Sequence, residues 1–454
     1  MTREHVILII GLIVFSIQFF LFYPPTYGLV DEAAYLTTVF AFQKGTIFYD
    51  QAGIVQAPMA VRVAEHNISK YPPGNAVLLL PFSLLDWRLT FVRGYIMMVI
   101  GLWIFSQLLS HYRLSSIYAL LFMFHPSFVL YSRTIMSDLP TAILTLIGVY
   151  FFIRRKNFIA GVFMGIGISI RYPTLFIAIT LGSILPFKRE WQYLAKFILG
   201  MGISIIPLIL YNLIGAGSIF GPIAGYGSDI SFNFNWQTFK TFFLLLIIIY
   251  PLLLIIPFFS RMKEKWLFIV PVSIFIIFYS FQSFVDTGHN FFESLIRGQR
   301  YMLPVIPLLL IPYFSVIDSI GVIKKIILPI AIILLLILST IVQHRHRQFL
   351  REQVYYQKML YAYTDNANVV ICNKDIHELI NPYIRYIPCA TYEIRRQLQS
   401  LNEYKDKENV YLACLARDDG IKFLFEEVLA QFAQKQEIYT VALPYYFSIW
   451  RVLP

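Results

Sequence analysis

The sequence predicts an all-α polytopic membrane protein of about eleven transmembrane helices with a small C-terminal α/β extracytoplasmic domain. Three observations carry that expectation. Of 454 residues, 58% are hydrophobic and 14% charged, with a mean hydropathy of +0.65; a soluble chain carries about a quarter of its residues as charges to cover itself in water. Apolar runs suited to about 30 Å of hydrocarbon recur from Val6 to Val342. From His344 onward the composition becomes that of a soluble segment.

The predicted spans are 5–23, 91–109, 116–131, 139–153, 158–170, 174–187, 193–214, 237–259, 266–284, 302–320 and 323–342. The run 74–86 is short and carries Pro81, so it reads as a re-entrant or interfacial piece. With Arg3 inside, the clusters His111–Arg113, Arg154-Arg155-Lys156, Lys188-Arg189, Arg261–Lys265 and Lys324-Lys325 all fall on the cytoplasmic side, as the positive-inside rule requires. The N-terminus is then cytoplasmic and the chain after Val342 extracytoplasmic. The first span ends in Tyr23-Pro24-Pro25 without a small-residue cleavage site and reads as a retained anchor. The expected compartment is the cell membrane of a prokaryote.

The net charge of +11 is scattered in those short clusters, which disfavours a nucleic-acid partner and favours membrane lipids. Cys372, Cys389 and Cys414 lack metal-ligand spacing, and one disulfide is open to them. The tail reads as strand 368–372, helix 377–380, strand 410–414 and helix 418–435. These sections form two expected domains, a membrane domain over 1–343 with a long outer loop 24–73, and a tail over 344–454.

The outer loop carries Gly28-Leu-Val-Asp31-Glu32-Ala-Ala-Tyr35, then a stretch to Gly45 that suits an amphipathic helix on the membrane, then Lys70-Tyr71-Pro72-Pro73-Gly74. Asp31 and Glu32 suit a helix N-terminus, where acidic side chains favour the dipole. Spans 158–170 and 174–187 are short and flank Arg171-Tyr172-Pro173, placing an arginine at the outer interface, where charges are costly and usually functional. Asp138 before Pro140 also reads as a helix cap, with Arg133 on the same turn as its candidate partner. Arg300 also reads as a snorkelling residue, and Lys70 as a headgroup contact. His344-Arg345-His346 reads as an interface anchor rather than a metal site.

Taken in order, these features resemble the GT-C superfamily of membrane glycosyltransferases, in its protein O-mannosyltransferase and aminoarabinose-transferase branch. The Asp31-Glu32 pair before a Tyr-containing helix and the Lys70–Gly74 motif are similar to that family's first outer loop. His125-Pro126 to Ser137-Asp138-Leu139-Pro140, Gly161 to Arg171-Tyr172, Tyr211-Asn212 to Gly225-Tyr226, and Arg300-Tyr301-Met-Leu-Pro304 to Pro307 resemble its later motifs. The tail from 345 onward resembles nothing nameable.

The resemblance implies transfer of a hexosyl or pentosyl group from a dolichyl- or undecaprenyl-phosphate donor to a protein, lipid or glycan acceptor outside the cytoplasm. Such a reaction needs a carboxylate to take the acceptor's proton; Asp31 is the candidate base, with Glu32 and Asp138 as further candidate catalytic carboxylates. It also needs positive charge on the departing lipid phosphate, for which Lys70, Arg171, Arg297 and Arg300 are candidates. Tyr35, Tyr71, Arg133 and Tyr301 are candidate substrate-positioning residues. No cofactor is certain; Glu32 can orient a neighbour or ligate a divalent metal. A single displacement with one base inverts the anomeric centre. Two other readings stand beside this one: a non-catalytic subunit that binds lipid-linked sugar, and a transporter. The latter wants ionisable groups near mid-membrane and broken helices in both halves, whereas the charges here gather at one face.

Overall fold

The computed structural model describes residues 3–54, 57–221, 234–281, 297–321, 323–391, 408–442 and 445–453. The chain divides into two compact units. Met1–Tyr23, Lys70–Phe82 and Leu89–Arg347 form the first; Pro24–Ser69, Ser83–Arg88 and Gln348–Pro454 form the second.

The first unit is helical and built for lipid. Among the described residues, four helical stretches are long and apolar enough to cross a membrane: Arg3–Leu21, Trp87–His111, Trp191–Ala216 and Lys325–Tyr363. Shorter apolar helices are Gly74–Ser83, Asp138–Ile153, Asn157–Ile170, Thr174–Phe187, Trp236–Ile249, Lys265–Tyr279 and Ile306–Asp318. Val6, Ile10, Ile13, Ile17 and Phe20 form one exposed stripe along the first helix, and Ile326, Ile330, Ile333, Ile337 and Ile341 another along the last. Each such side chain is worth about 1.5–3 kcal/mol when withdrawn from water, so only a hydrocarbon surround makes these stripes favourable. Asp138–Ile153, by contrast, is buried along almost its whole length. Asn157–Ile170 crosses Trp191–Ala216 on small residues. A Cβ on Gly161 would overlap the Phe197 carbonyl oxygen, and one on Gly200 the Phe158 carbonyl oxygen. Close backbone approach of this kind is how helices associate where no hydrophobic drive acts between them.

Three expectations change here. The expected span 116–131 is broken into the 3-10 turn Ser116–Tyr118 and two short helices, Ala119–Met123 and Pro126–Tyr131, because Pro126 cannot continue the helix that precedes it. The expected span 237–259 stops being α-helical at Ile249, ahead of Pro251, and resumes as the 3-10 turn Ile256–Phe259. The composition change at His344 falls inside a single helix, Leu328–Tyr363, since no Gly or Pro follows Pro329 to end it.

One end of this unit gathers the basic clusters. Glu4 accepts from the Ser115 hydroxyl at 2.7 Å and from the Ser116 amide at 3.0 Å. Tyr112 donates to Glu264 at 2.6 Å. Arg155 pairs with Glu190 and also feels the charge of Glu264. The residues around Arg3, Arg113, Arg155, Lys188 and Lys263 are thus tied together.

The second unit contains a helix, Val30–Gln43, a hairpin of β1 (Ala60–Val63) and β2 (His66–Ser69), and a five-stranded sheet. The sheet strands are β3 (Val369–Cys372), β4 (Cys389–Thr391), β5 (Val410–Ala416), β6 (Lys435–Val441) and β7 (Tyr446–Val452), in the order β4-β3-β5-β7-β6. β3 runs parallel to β4 and β5, while β7 is antiparallel to β5 and β6. Helices Lys374–Leu379 and Asp419–Ala430 follow β3 and β5, and the Asp418 carboxylate caps the second by accepting from the Ile421 amide at 2.9 Å. One face of the sheet buries Val370, Cys372 and Cys389 with Tyr356 and Phe447; the other buries Ile371, Cys414 and Phe425. All three cysteines are free and buried. No disulfide forms, and Cys414 faces away from the other two because strand side chains alternate. Val30–Gln43 is buried at Glu32–Val39 and Ala41, so the expected amphipathic surface helix is covered on nearly every face.

Candidate functional site

At the start of the first unit's second segment, Lys70 and Tyr71 are half-buried and lead into Pro72-Pro73-Gly74. The spacing matters because a Cβ on Gly74 would overlap the Ser169 carbonyl oxygen. The Gly74–Ser83 helix therefore begins against the end of Asn157–Ile170, two residues before Arg171. Next to Gly74, Asn75 donates to the Ile135 carbonyl at 2.9 Å and accepts from Arg93. Arg93 is almost fully buried and also donates to the carbonyls of Thr134 (3.2 Å) and Met136 (3.0 Å). Gly94 is required beside it, since a Cβ there would overlap the Ser132 carbonyl oxygen. Lys70–Gly74, the loop 132–137 and Arg171 are thereby held at one end of the unit.

That loop delivers Asp138, fully buried at the head of Asp138–Ile153. Arg171 donates to the Asp138 carboxylate, to the Tyr279 hydroxyl at 3.3 Å and to Ser137 Oγ at 3.4 Å. The Arg171 guanidinium lies 5.1 Å from the centre of the Tyr301 ring, and that of Arg300 lies 4.6 Å from the same ring. Arg300 also donates to the Tyr301 hydroxyl at 2.6 Å. Two guanidiniums around one aromatic ring leave a net positive charge after Asp138 is counted, which suits an anionic group. Arg297 begins the 3-10 turn Gly298–Met302, where its carbonyl accepts from the Tyr131 hydroxyl at 3.4 Å.

The pairing of Arg133 with Asp138 that their shared turn suggested does not form. Asp138 pairs with Arg171, and Arg133, fully buried, donates to the Gln343 carbonyl at 3.2 Å with its guanidinium 5.9 Å from the Phe22 ring centre. Sequence reading missed Arg93, Tyr279 and Gln343. A signal existed for Arg93 alone, as a charge followed by glycine at the head of a long apolar run. Gly225-Tyr226 of the third motif lies outside the described residues.

The second unit holds the first-loop residues. Asp31 is half-buried in the first turn of Val30–Gln43, and Tyr35 is buried one turn on. Glu32 is buried and accepts from the Gly28 amide at 3.0 Å. Gly28 has no room for a Cβ against Phe349 and Leu350. Tyr27 donates to the Ile380 carbonyl at 2.8 Å; burial, then Tyr361, Glu32 and Glu378, push its phenol well above the usual range. Glu32 is thus occupied with backbone, and no group of three or more His, Cys, Asp or Glu side chains is gathered for a metal among the described residues. An open pocket of about 620 Å³ is lined by Phe40, Lys44, Asp86, Trp87, Arg88 and Tyr383 among others.

The family model for glycosyltransferase family 87 matches residues 70–219, the stretch from Lys70 through Asp138 and Arg171. No curated protein matches the sequence. Among solved structures, the chain is similar to ArnT from Cupriavidus metallidurans bound to undecaprenyl phosphate, with a TM-score of 0.65 and 11% identity over 99% of this chain and 97% of that one. The apo state of the same protein matches with a TM-score of 0.63 and 10% identity over the same shares. At that identity the likeness establishes the fold, which is of the GT-C type and belongs to an integral membrane protein.

Proposed function

On this GT-C fold, we propose that the chain is a membrane glycosyltransferase that moves a sugar from a polyprenyl-phosphate donor to an acceptor on the extracytoplasmic face. The observation that carries the reading is the Arg171–Asp138–Arg300–Tyr301 cluster, of which Asp138 and Arg171 lie within the region matched by a glycosyltransferase family model. Undecaprenyl phosphate in the similar ArnT structure supports a lipid-phosphate donor.

In the proposed reaction an acceptor hydroxyl or amine attacks the anomeric carbon, and Asp31 takes the acceptor's proton. The bond from the anomeric carbon to the phosphate oxygen breaks, and its electron pair leaves on the lipid phosphate. Arg171 and Arg300, with Lys70 and Arg297, stabilise that charge. Phosphate needs no general acid to leave, and one displacement inverts the centre. Asp138 acts by holding Arg171. Tyr301 positions both guanidiniums, and Tyr35 and Tyr71 are assigned to substrate positioning. Glu32 fixes the turn that precedes Asp31 through its bond to Gly28.

The test is to incubate the purified full-length chain with a panel of polyprenyl-phosphate sugars and candidate acceptors and to measure released lipid phosphate. Release from one donor, dependent on acceptor, is expected. No release from any donor contradicts the reading.

A further inference from the structure

Arg133 has no exposed surface. One of its terminal nitrogens donates to the Gln343 carbonyl at 3.2 Å, while Nε and the other terminal nitrogen have no hydrogen-bond partner. Gln343 is 1% exposed, and neither its amide nitrogen nor its amide oxygen has a partner. No carboxylate among the described residues pairs with Arg133. Arg347, one turn beyond Gln343 on the same helix, is close enough to repel it.

A guanidinium removed from water, with two nitrogens unpartnered and a like charge nearby, is among the costliest arrangements a fold can hold. Water alone supplies hydrogen bonds but no counter-charge. The unsatisfied Nε–H and Nη–H lie along one edge of the guanidinium, the edge that binds two oxygens of one anion side by side. The Gln343 amide adds a neutral donor, and Arg347 a second positive charge suited to a dianion.

We propose that Arg133, Gln343 and Arg347 form a buried binding site for a phosphate group, built from side chains other than those of the Arg171–Arg300 cluster. The shared chemistry is a phosphate monoester or diester, whether the headgroup of a lipid phosphate or a free phosphate. The site uses side chains other than Arg171 and Arg300, so its failure leaves the transfer reading standing. Binding is read without turnover, so a chain that transfers no sugar can still carry the site.

The experiment is thermal unfolding of the full-length chain in detergent, titrated with a polyprenyl monophosphate, with inorganic phosphate, and with the neutral polyprenol. It is run in the wild type and in an Arg300→Met background that weakens the other cluster. In both backgrounds a phosphate ligand should raise the midpoint and the polyprenol should not. A shift from the polyprenyl phosphate alone assigns a lipid headgroup, and a shift from inorganic phosphate as well assigns a free anion. Arg133→Met fills the same space without charge, so the ligand-free midpoint should equal or exceed that of its parent, while phosphate binding weakens roughly 10- to 100-fold. Gln343→Leu keeps the backbone carbonyl and should weaken binding to a smaller extent. Phosphate shifts in Arg133→Met and Gln343→Leu equal to those of the parent overturn the site, as does a parent stabilised by neither phosphate.

Discussion

Arg171 donates to the buried carboxylate of Asp138, across a break of sequence that spans the whole helix Asp138–Ile153 and its successor. The pair explains why a buried acid and an interfacial arginine both persist in so apolar a chain. Each compensates the other, and Tyr279 and Ser137 satisfy further guanidinium donors. Removing one partner of such a pair costs about 3–5 kcal/mol, because the other is left buried and uncompensated. Asp138→Asn and Arg171→Met should therefore be strongly non-additive in a double-mutant cycle read on thermal stability and on donor kcat/KM. Additive effects contradict a functional pair.

Arg300 is held by its contact with Tyr301. Arg300→Ala should weaken donor use and slow turnover, and Arg300→Lys should restore only part, since an ammonium lacks the planar fork and the stacking face. Tyr301→Phe keeps the ring and loses the hydroxyl, so it should fall between wild type and Arg300→Ala. Wild-type donor kinetics in Arg300→Ala remove this arginine from the phosphate clamp.

Arg93 acts through the loop it pins. Arg93→Met breaks bonds to Asn75 and to two carbonyls, each worth about 1.5–3 kcal/mol as a charged hydrogen bond. Gly94→Ala drives a methyl group against the Ser132 carbonyl. Both variants should lower the unfolding midpoint and also reduce turnover, because the same loop delivers Arg133 and Asp138. Unchanged stability in both contradicts the positioning role.

The basic clusters support the proposed orientation, with the N-terminus cytoplasmic. The three native cysteines are buried and free, so introduced thiols stand out against a quiet background. Glu65→Cys, exposed in the β1–β2 turn, should react in intact cells with a membrane-impermeant thiol reagent. Lys263→Cys, exposed at the basic end, should react only after permeabilisation. The opposite pattern reverses the proposed topology.

The helices and the clustering of basic residues were legible in the sequence because hydropathy and charge are local signals. Asp138 and Arg171 were visible as charges in apolar surroundings, but their partnership was not, since nothing in the sequence joins residues so far apart. Arg133 was assigned the wrong partner for that reason: nearness along the chain favoured Asp138, whereas packing gave it the backbone of Gln343. β3 and β5 stood out as apolar runs, while β6 reads Lys435-Gln-Glu-Ile-Tyr and owes its place to pairing with β7. The boundary at His344 was a change of solvent rather than of secondary structure, and the helix runs on through it.

Asp31 carries the central claim. Asp31→Asn keeps the side chain's shape at the start of Val30–Gln43 and removes its ability to accept a proton at neutral pH. Loss of a half-buried charge at a helix end costs up to about 2 kcal/mol of stability, whereas loss of a general base typically costs about 10²–10⁴ in rate. Glu32→Gln is the neighbouring control, with a milder loss expected. The decisive measurement is the rate of acceptor-dependent release of lipid phosphate from a polyprenyl-phosphate sugar by Asp31→Asn beside wild type, with donor binding measured in parallel. The account predicts a folded protein that binds donor and releases almost no lipid phosphate. Release within about threefold of wild type, far short of what losing a base costs, contradicts it.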